Sequence, residues 1–121
     1  MANIDQYKVP MDTTNEFSQQ AGPSPKKLML AALGGCTGMD IVSILNKMKV
    51  SYEDFSIDIK ASLTEEHPKI FKDVHVFYKI KLAEEDQQKM EKAVNLSQEK
   101  YCGINAMFKS FAKVSSNILF L

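Results

Sequence analysis

The chain contains no arginine; all fifteen of its basic residues are lysines. Bidentate clamping of a carboxylate or phosphate by a guanidinium is therefore excluded within it. Charge of neither sign is in excess, because fifteen acidic residues cancel the lysines. A zero balance supplies no field for gathering nucleic acid or an anionic membrane as the main partner. Cysteine is scarce: Cys36 and Cys102 are too few for a disulfide-rich secreted scaffold, so a cytoplasmic location is expected. The two cysteines and the two histidines, His67 and His75, lack zinc-ligand spacing, and no metal site is expected. Phosphate loops, cofactor-binding motifs and a Ser-His-Asp layout are missing as well. The N-terminus lacks the basic-then-apolar order of a signal peptide. No uninterrupted apolar run approaches the roughly 20 residues that span a bilayer, so no membrane contact is expected.

What remains is an ordinary globular mixture, 121 residues long with 45% hydrophobic side chains, and one domain over 1–121 is expected. A strand-like stretch at Gln6 to Met11 contains Pro10, which confines it to an edge, and a loop follows from Asp12 to Gly22. Ser24-Pro25 is an N-cap with proline at the first helical position. Apolar residues at helical spacing then predict a helix to about Lys49. Phe55 to Leu63 and Val74 to Leu82 alternate apolar and polar residues, a hairpin with its turn near Glu65 to Lys69. Glu84-Glu85-Asp86 suits a helix start against the macrodipole. A further helix from about Cys102 to Lys113 and a last strand from Val114 to Leu121 complete the pattern. Strands grouped around a hairpin give an α+β class with an antiparallel sheet and a long central helix. That helix is apolar over most of its circumference, so a second subunit is expected to cover it.

Candidate chemistry centres on Leu33-Gly34-Gly35-Cys36-Thr37-Gly38-Met39. Three glycines in a helical pattern cost about 1 kcal/mol each relative to alanine. Such a cost suggests close approach of another backbone, or a helix break beside Cys36. After a break, the unpaired N–H groups of a fresh N-terminus would favour a thiolate. Cys102, in Glu99-Lys100-Tyr101-Cys102-Gly103, lies at a joint between two helices. Together the cysteines suggest a dithiol pair, one oxidised to a sulfenic acid and the other resolving it. Alone, each reads more simply as a small buried side chain. His67, in the turn, and His75, on the wet side of its strand, are taken as solvent-facing residues.

The run Ser24-Pro25-Lys26-Lys27-Leu28-Met29-Leu30-Ala31-Ala32-Leu33-Gly34-Gly35-Cys36-Thr37-Gly38-Met39-Asp40-Ile41-Val42 resembles the OsmC/Ohr family of thiol peroxidases. Glu65-Glu66-His67-Pro68-Lys69-Ile70-Phe71 and Ala93-Val94-Asn95-Leu96-Ser97-Gln98-Glu99-Lys100-Tyr101-Cys102 resemble it in the same order. The resemblance implies an intertwined homodimer built around two long helices, without the family's first N-terminal hairpin. It implies that Cys36 is the peroxidatic cysteine and Cys102 the resolving one. The expected substrate is a small organic hydroperoxide, with a dithiol reductant, a lipoylated protein in some members, restoring the thiols. The chain departs from the family where a glutamate normally follows Ser-Pro and holds an arginine beside the reactive cysteine. Lys26 and Lys27 stand there instead. Lys26 would replace the missing cation only through a helix bend at Gly34-Gly35 or from across a dimer. A weakened family member that binds a small apolar ligand or a thiol partner is the alternative reading.

Overall fold

Ser24 and Pro25 start the longest element of the fold, helix α1 (Pro25–Lys47), with the Lys27 amide donating to Ser24 Oγ at 3.3 Å. A computed structural model describes residues 2–12 and 21–121, so most of the expected loop at 12–22 lies outside the described residues. The chain divides into two compact units, Met1–Ala32 and Leu33–Leu121. The first opens with a short antiparallel hairpin, β1 (Ala2–Ile4) and β2 (Tyr7–Val9), and turns at Asp5 with φ 53°. β2 ends one residue before Pro10, which has no N–H to extend a ladder.

In the second unit β3 (Tyr52–Leu63) and β4 (Phe71–Leu82) form the expected antiparallel hairpin. A bulge between Glu53 and Ser56 contains Asp54 at φ 54°. After β4 come a 3₁₀ turn (Glu84–Asp86), α2 (Gln87–Leu96), a π-helical turn (Ser97–Tyr101) and α3 (Gly103–Lys109). The last strand, β5 (Lys113–Phe120), pairs with β4 in parallel, giving the order β3-β4-β5. The expectation of an antiparallel sheet is thus corrected to a mixed one. The chain crosses over through two helices between β4 and β5, and a crossover returns a strand in parallel.

Of the two readings of the glycines, close approach or a helix break, the break is ruled out, because α1 runs unbroken past Cys36. Leu33, Thr37, Ile41 and Leu45 form its buried stripe at four-residue spacing. Full burial of an aliphatic side chain contributes about 1.5–3 kcal/mol. Three of them outweigh the roughly 1 kcal/mol lost at each glycine. Two of the three glycines answer to side chains of β3, while Gly35 faces open space. A Cβ at Gly34 would lie 3.1 Å from Ile59 Cδ1, and one at Gly38 3.1 Å from Ile57 Cδ1. Behind α1, Lys49 takes φ 59°, with the Val50 amide donating to Leu45 O and the Lys49 amide to Asn46 O. That left-handed reversal ends the helix and releases the chain into β3.

By length and composition α1 is apolar enough to cross a membrane, and only 22% of its most apolar stretch is buried within the described residues. Counting an uninterrupted apolar run missed this, since glycines, Thr37 and Asp40 interrupt the run while hardly lowering its hydropathy. The core helix of a globular protein meets the same criterion.

Candidate functional site

The unbroken helix fixes where Cys36 points. Thr37 is buried and faces β4, so the preceding Cys36 lies at the edge of the buried stripe, half-buried. Four residues on, one helical turn away on the same side, stands Asp40. The third member arrives from the crossover. The π-helical turn lets the Cys102 amide donate to Ser97 O at 2.7 Å and delivers Cys102 to the head of α3. There Cys102 is the N-cap, its Sγ accepting from the Asn105 amide at 3.3 Å. It is 3% exposed, so its thiol reaches nothing except its immediate neighbours. Cys36 Sγ, Cys102 Sγ and a carboxylate oxygen of Asp40 all lie within 4.8 Å of one another. Both cysteines are free thiols.

A buried chain of hydrogen bonds ends on that carboxylate. Ser97 Oγ donates to Asp40 Oδ2 at 3.0 Å, which uses its single hydrogen. Thr37 Oγ1, 2.8 Å from Ser97 Oγ, must then donate to it, and Tyr78 Oη, 3.0 Å from Thr37 Oγ1, donates in turn. Gln98 Nε2 donates both to Tyr78 Oη at 3.1 Å and to Ser116 Oγ at 2.9 Å. Asn105 Nδ2 ties α3 to Gln98 O at 3.0 Å. From Tyr78 through Thr37 and Ser97 each hydroxyl donates toward Asp40, an order that strengthens each successive bond. Four elements, α1, β4, the π-helical turn and α3, are pinned around the two sulfurs.

Burial pushes the Cys102 thiol up from 9.0 to about 11. The hydrogen bond with Cys36 and the nearby Cys36 and Asp40 charges push the same way, and only the Asn105 amide opposes them. Burial likewise raises the Tyr78 hydroxyl, against its hydrogen bonds with Thr37 and Gln98. Both groups are buried in their neutral forms, so their contribution to stability is fully present below the unfolded-state value. For Cys102 it is lost as pH rises from about 9 through about 11. The stability gap between wild type and Cys102→Ala should therefore narrow across that window in urea titrations. A gap that stays constant would refute a strongly raised Cys102.

Beside Asp40 lies an open recess of about 410 Å³, walled by Ile44, Met48, Leu96 and Tyr101, with Lys47 and Lys92 among its lining residues. The histidines are elsewhere. His67 is exposed in the hairpin turn. His75 alternates to the face of β4 opposite Tyr78, where its Nδ1 is 2.6 Å from Ser115 Oγ and its Nε2 2.6 Å from Asn117 Oδ1. Sequence reasoning singled out Cys36 and Cys102 and missed Asp40, Thr37, Tyr78, Ser97, Gln98 and Asn105. For Asp40 there was a signal, a lone carboxylate in an apolar helix four residues after a cysteine. The others contribute through long-range hydrogen bonds that no local pattern announces.

Residues 17–117 match the family described as OsmC-like protein. Protein YhfA of Escherichia coli strain K12 is 30% identical over 98 residues, which are 81% of this chain and 73% of YhfA. Among solved structures, a hypothetical protein from Aquifex aeolicus VF5 is 33% identical with a TM-score of 0.71, over 84% of this chain and 78% of that one. An organic hydroperoxide resistance protein, OsmC, from Legionella pneumophila shares the fold with a TM-score of 0.61 at 22% identity, over 85% and 74% of the two chains.

Proposed function

This chain belongs to the OsmC-like family, and from that premise we propose that it reduces small organic hydroperoxides through a Cys36–Cys102 dithiol pair. The observation behind this reading is the approach of two free sulfurs, distant in sequence, to within 4.8 Å. Their unequal burial divides the labour. Half-buried Cys36 meets the peroxide, and buried Cys102 meets only Cys36. In the first step Cys36 Sγ attacks the terminal peroxide oxygen. An S–O bond forms, the O–O bond breaks, and the departing alkoxide takes the thiol proton and leaves as an alcohol. In the second step Cys102 Sγ attacks the sulfenic sulfur of Cys36. The S–S bond forms, hydroxide departs, and it takes up the Cys102 proton to leave as water. An external dithiol then reduces the disulfide and is itself oxidised to one.

Asp40 suits the second step. A thiol held near pH 11 ionises little at neutral pH, so its proton needs an acceptor at hand. The Asp40 carboxylate is within 4.8 Å of that sulfur, accepts from Ser97, and can pass the proton to the departing hydroxide. The wall of Ile44, Met48, Leu96 and Tyr101 in the recess beside Asp40 suits the organic part of a hydroperoxide. A Cys pair that must be reduced each cycle suits a reducing compartment, the cytoplasm. The uncovered side of α1, where Met39 is 77% exposed and a groove runs over Gly35, Gly38 and Val42, suits the same face of a second copy.

The test is to mix fully reduced protein with cumene hydroperoxide and follow free thiols and intact mass. Two thiols and two hydrogens per chain should disappear, and Cys36→Ser should abolish the change. Thiol loss no faster than that of free cysteine would overturn the reading. The recess would then favour a binding protein, checked by displacing a fluorescent apolar probe with long-chain acids.

A further inference from the structure

The same three groups have a chemistry that needs no peroxide. Two thiols and a carboxylate converge within 4.8 Å, and all three are anionic when deprotonated. Among the described residues neither lysine–carboxylate ion pair, Lys79–Asp58 or Lys89–Asp86, includes Asp40. The hydrogen-bond chain from Gln98 through Tyr78, Thr37 and Ser97 holds one oxygen of that carboxylate. The Asn105 amide holds the sulfur of Cys102. Groups fixed in this way by outer hydrogen bonds are what a metal site uses to orient its ligands.

We propose that the reduced protein binds one thiophilic divalent cation, Zn²⁺ being the type case, through Cys36 Sγ, Cys102 Sγ and the Asp40 carboxylate. The fourth position of a tetrahedron remains open to water or a small ligand. Zinc–sulfur bonds of about 2.3 Å place tetrahedral ligands about 3.8 Å apart. The observed limit of 4.8 Å is therefore closed by small side-chain rotations. Cys36 and Asp40 are one helical turn apart on α1, a spacing at which two side chains ligate from one face. Cys102 closes the site from the head of α3. Two sulfur donors select Zn²⁺ or Cd²⁺ over Mg²⁺ or Ca²⁺. Binding releases the two thiol protons, and the bound sulfurs are withheld from any electrophile. The cation thus caps the dithiol reversibly and keeps it reduced. Linear spacing hides such a site, because its third ligand comes from another part of the chain.

The experiment uses the whole reduced chain under anaerobic conditions, with Cd²⁺ or Zn²⁺ as the only addition. Cd²⁺ titration should give one equivalent per chain and an ultraviolet thiolate-to-cadmium band of two-thiolate intensity. Zn²⁺ affinity, measured against a chromophoric chelator, should fall at least about tenfold in Asp40→Asn. Cys36→Ser should halve the cadmium band. A wild-type band of one-thiolate intensity, or absence of a one-to-one endpoint, overturns the proposal without any variant having to fold. Asp40→Asn binding as tightly as wild type overturns the three-ligand site. Because no peroxide is present, these outcomes are independent of whether the chain reduces hydroperoxides.

Discussion

Treated with cumene hydroperoxide, Cys102→Ser is expected to gain one oxygen at Cys36 and to stop there. Cys102 is the only other thiol in the chain, and a serine hydroxyl is a poor nucleophile toward a sulfenic sulfur. The first step should keep nearly its wild-type rate, because Cys36 and its surroundings on α1 are untouched. Turnover supported by an added dithiol should fall by at least about 100-fold, since a positioned neighbour is replaced by a reductant in solution. Raising the dithiol concentration should restore part of the loss. Cys36→Ser should behave differently, with no oxygen gained and no rescue, because Cys102 is only 3% exposed. The measurement is quenched intact mass together with steady-state turnover. Oxygen appearing on Cys102 in the Cys36→Ser protein, with none gained by Cys102→Ser, would reverse the assignment of the two roles.

The division of the two cysteines was only partly legible in the sequence. Ser24-Pro25 marked the start of α1, and alternation marked β3 and β4, because caps and strand patterns are local and each is written in adjacent residues. The parallel pairing of β5 was not legible. Its residues alternate equally well against either direction, and the crossover through α2 and α3 decides the direction. The glycines around Cys36 misled for a related reason. The cost is local, whereas the reason for Gly34 and Gly38 lies in Ile59 and Ile57 of β3, whose Cδ1 methyls lie 3.1 Å from where a Cβ would be. Gly34 and Gly38 have helical spacing, which favours a contact face on an unbroken helix over a break. The π-helical turn is the least legible element. It sets Cys102 five residues past the carbonyl that its amide meets, and nothing in Ser97-Gln98-Glu99-Lys100-Tyr101 announces it.

Asp40→Asn separates the two effects that a carboxylate can have on a neighbouring thiol. As a charge, Asp40 makes the Cys102 thiolate harder to form, but this is the smallest of the causes that raise it, burial being the largest. As a proton acceptor, Asp40 makes attack by Cys102 easier, and a positioned base is worth about 10²–10⁴ in rate. The acceptor effect should win. In Asp40→Asn the sulfenic acid on Cys36 should therefore form at close to the normal rate and resolve about 100-fold more slowly. The pH dependence gives a second readout. Without the carboxylate, resolution must wait for free Cys102 thiolate, so its rate should climb about tenfold per pH unit until the thiol, still raised by burial, ionises. Wild type should show a much flatter profile over the same range. The asparagine keeps the shape of the side chain and can still accept from Ser97, so loss of the hydrogen-bond chain does not account for the slowing. Quench-flow mass measurements of sulfenic acid and disulfide against pH decide between the effects. Faster resolution in Asp40→Asn would mean that the carboxylate acts by repulsion alone, and the proton would then need another route out of the buried pair.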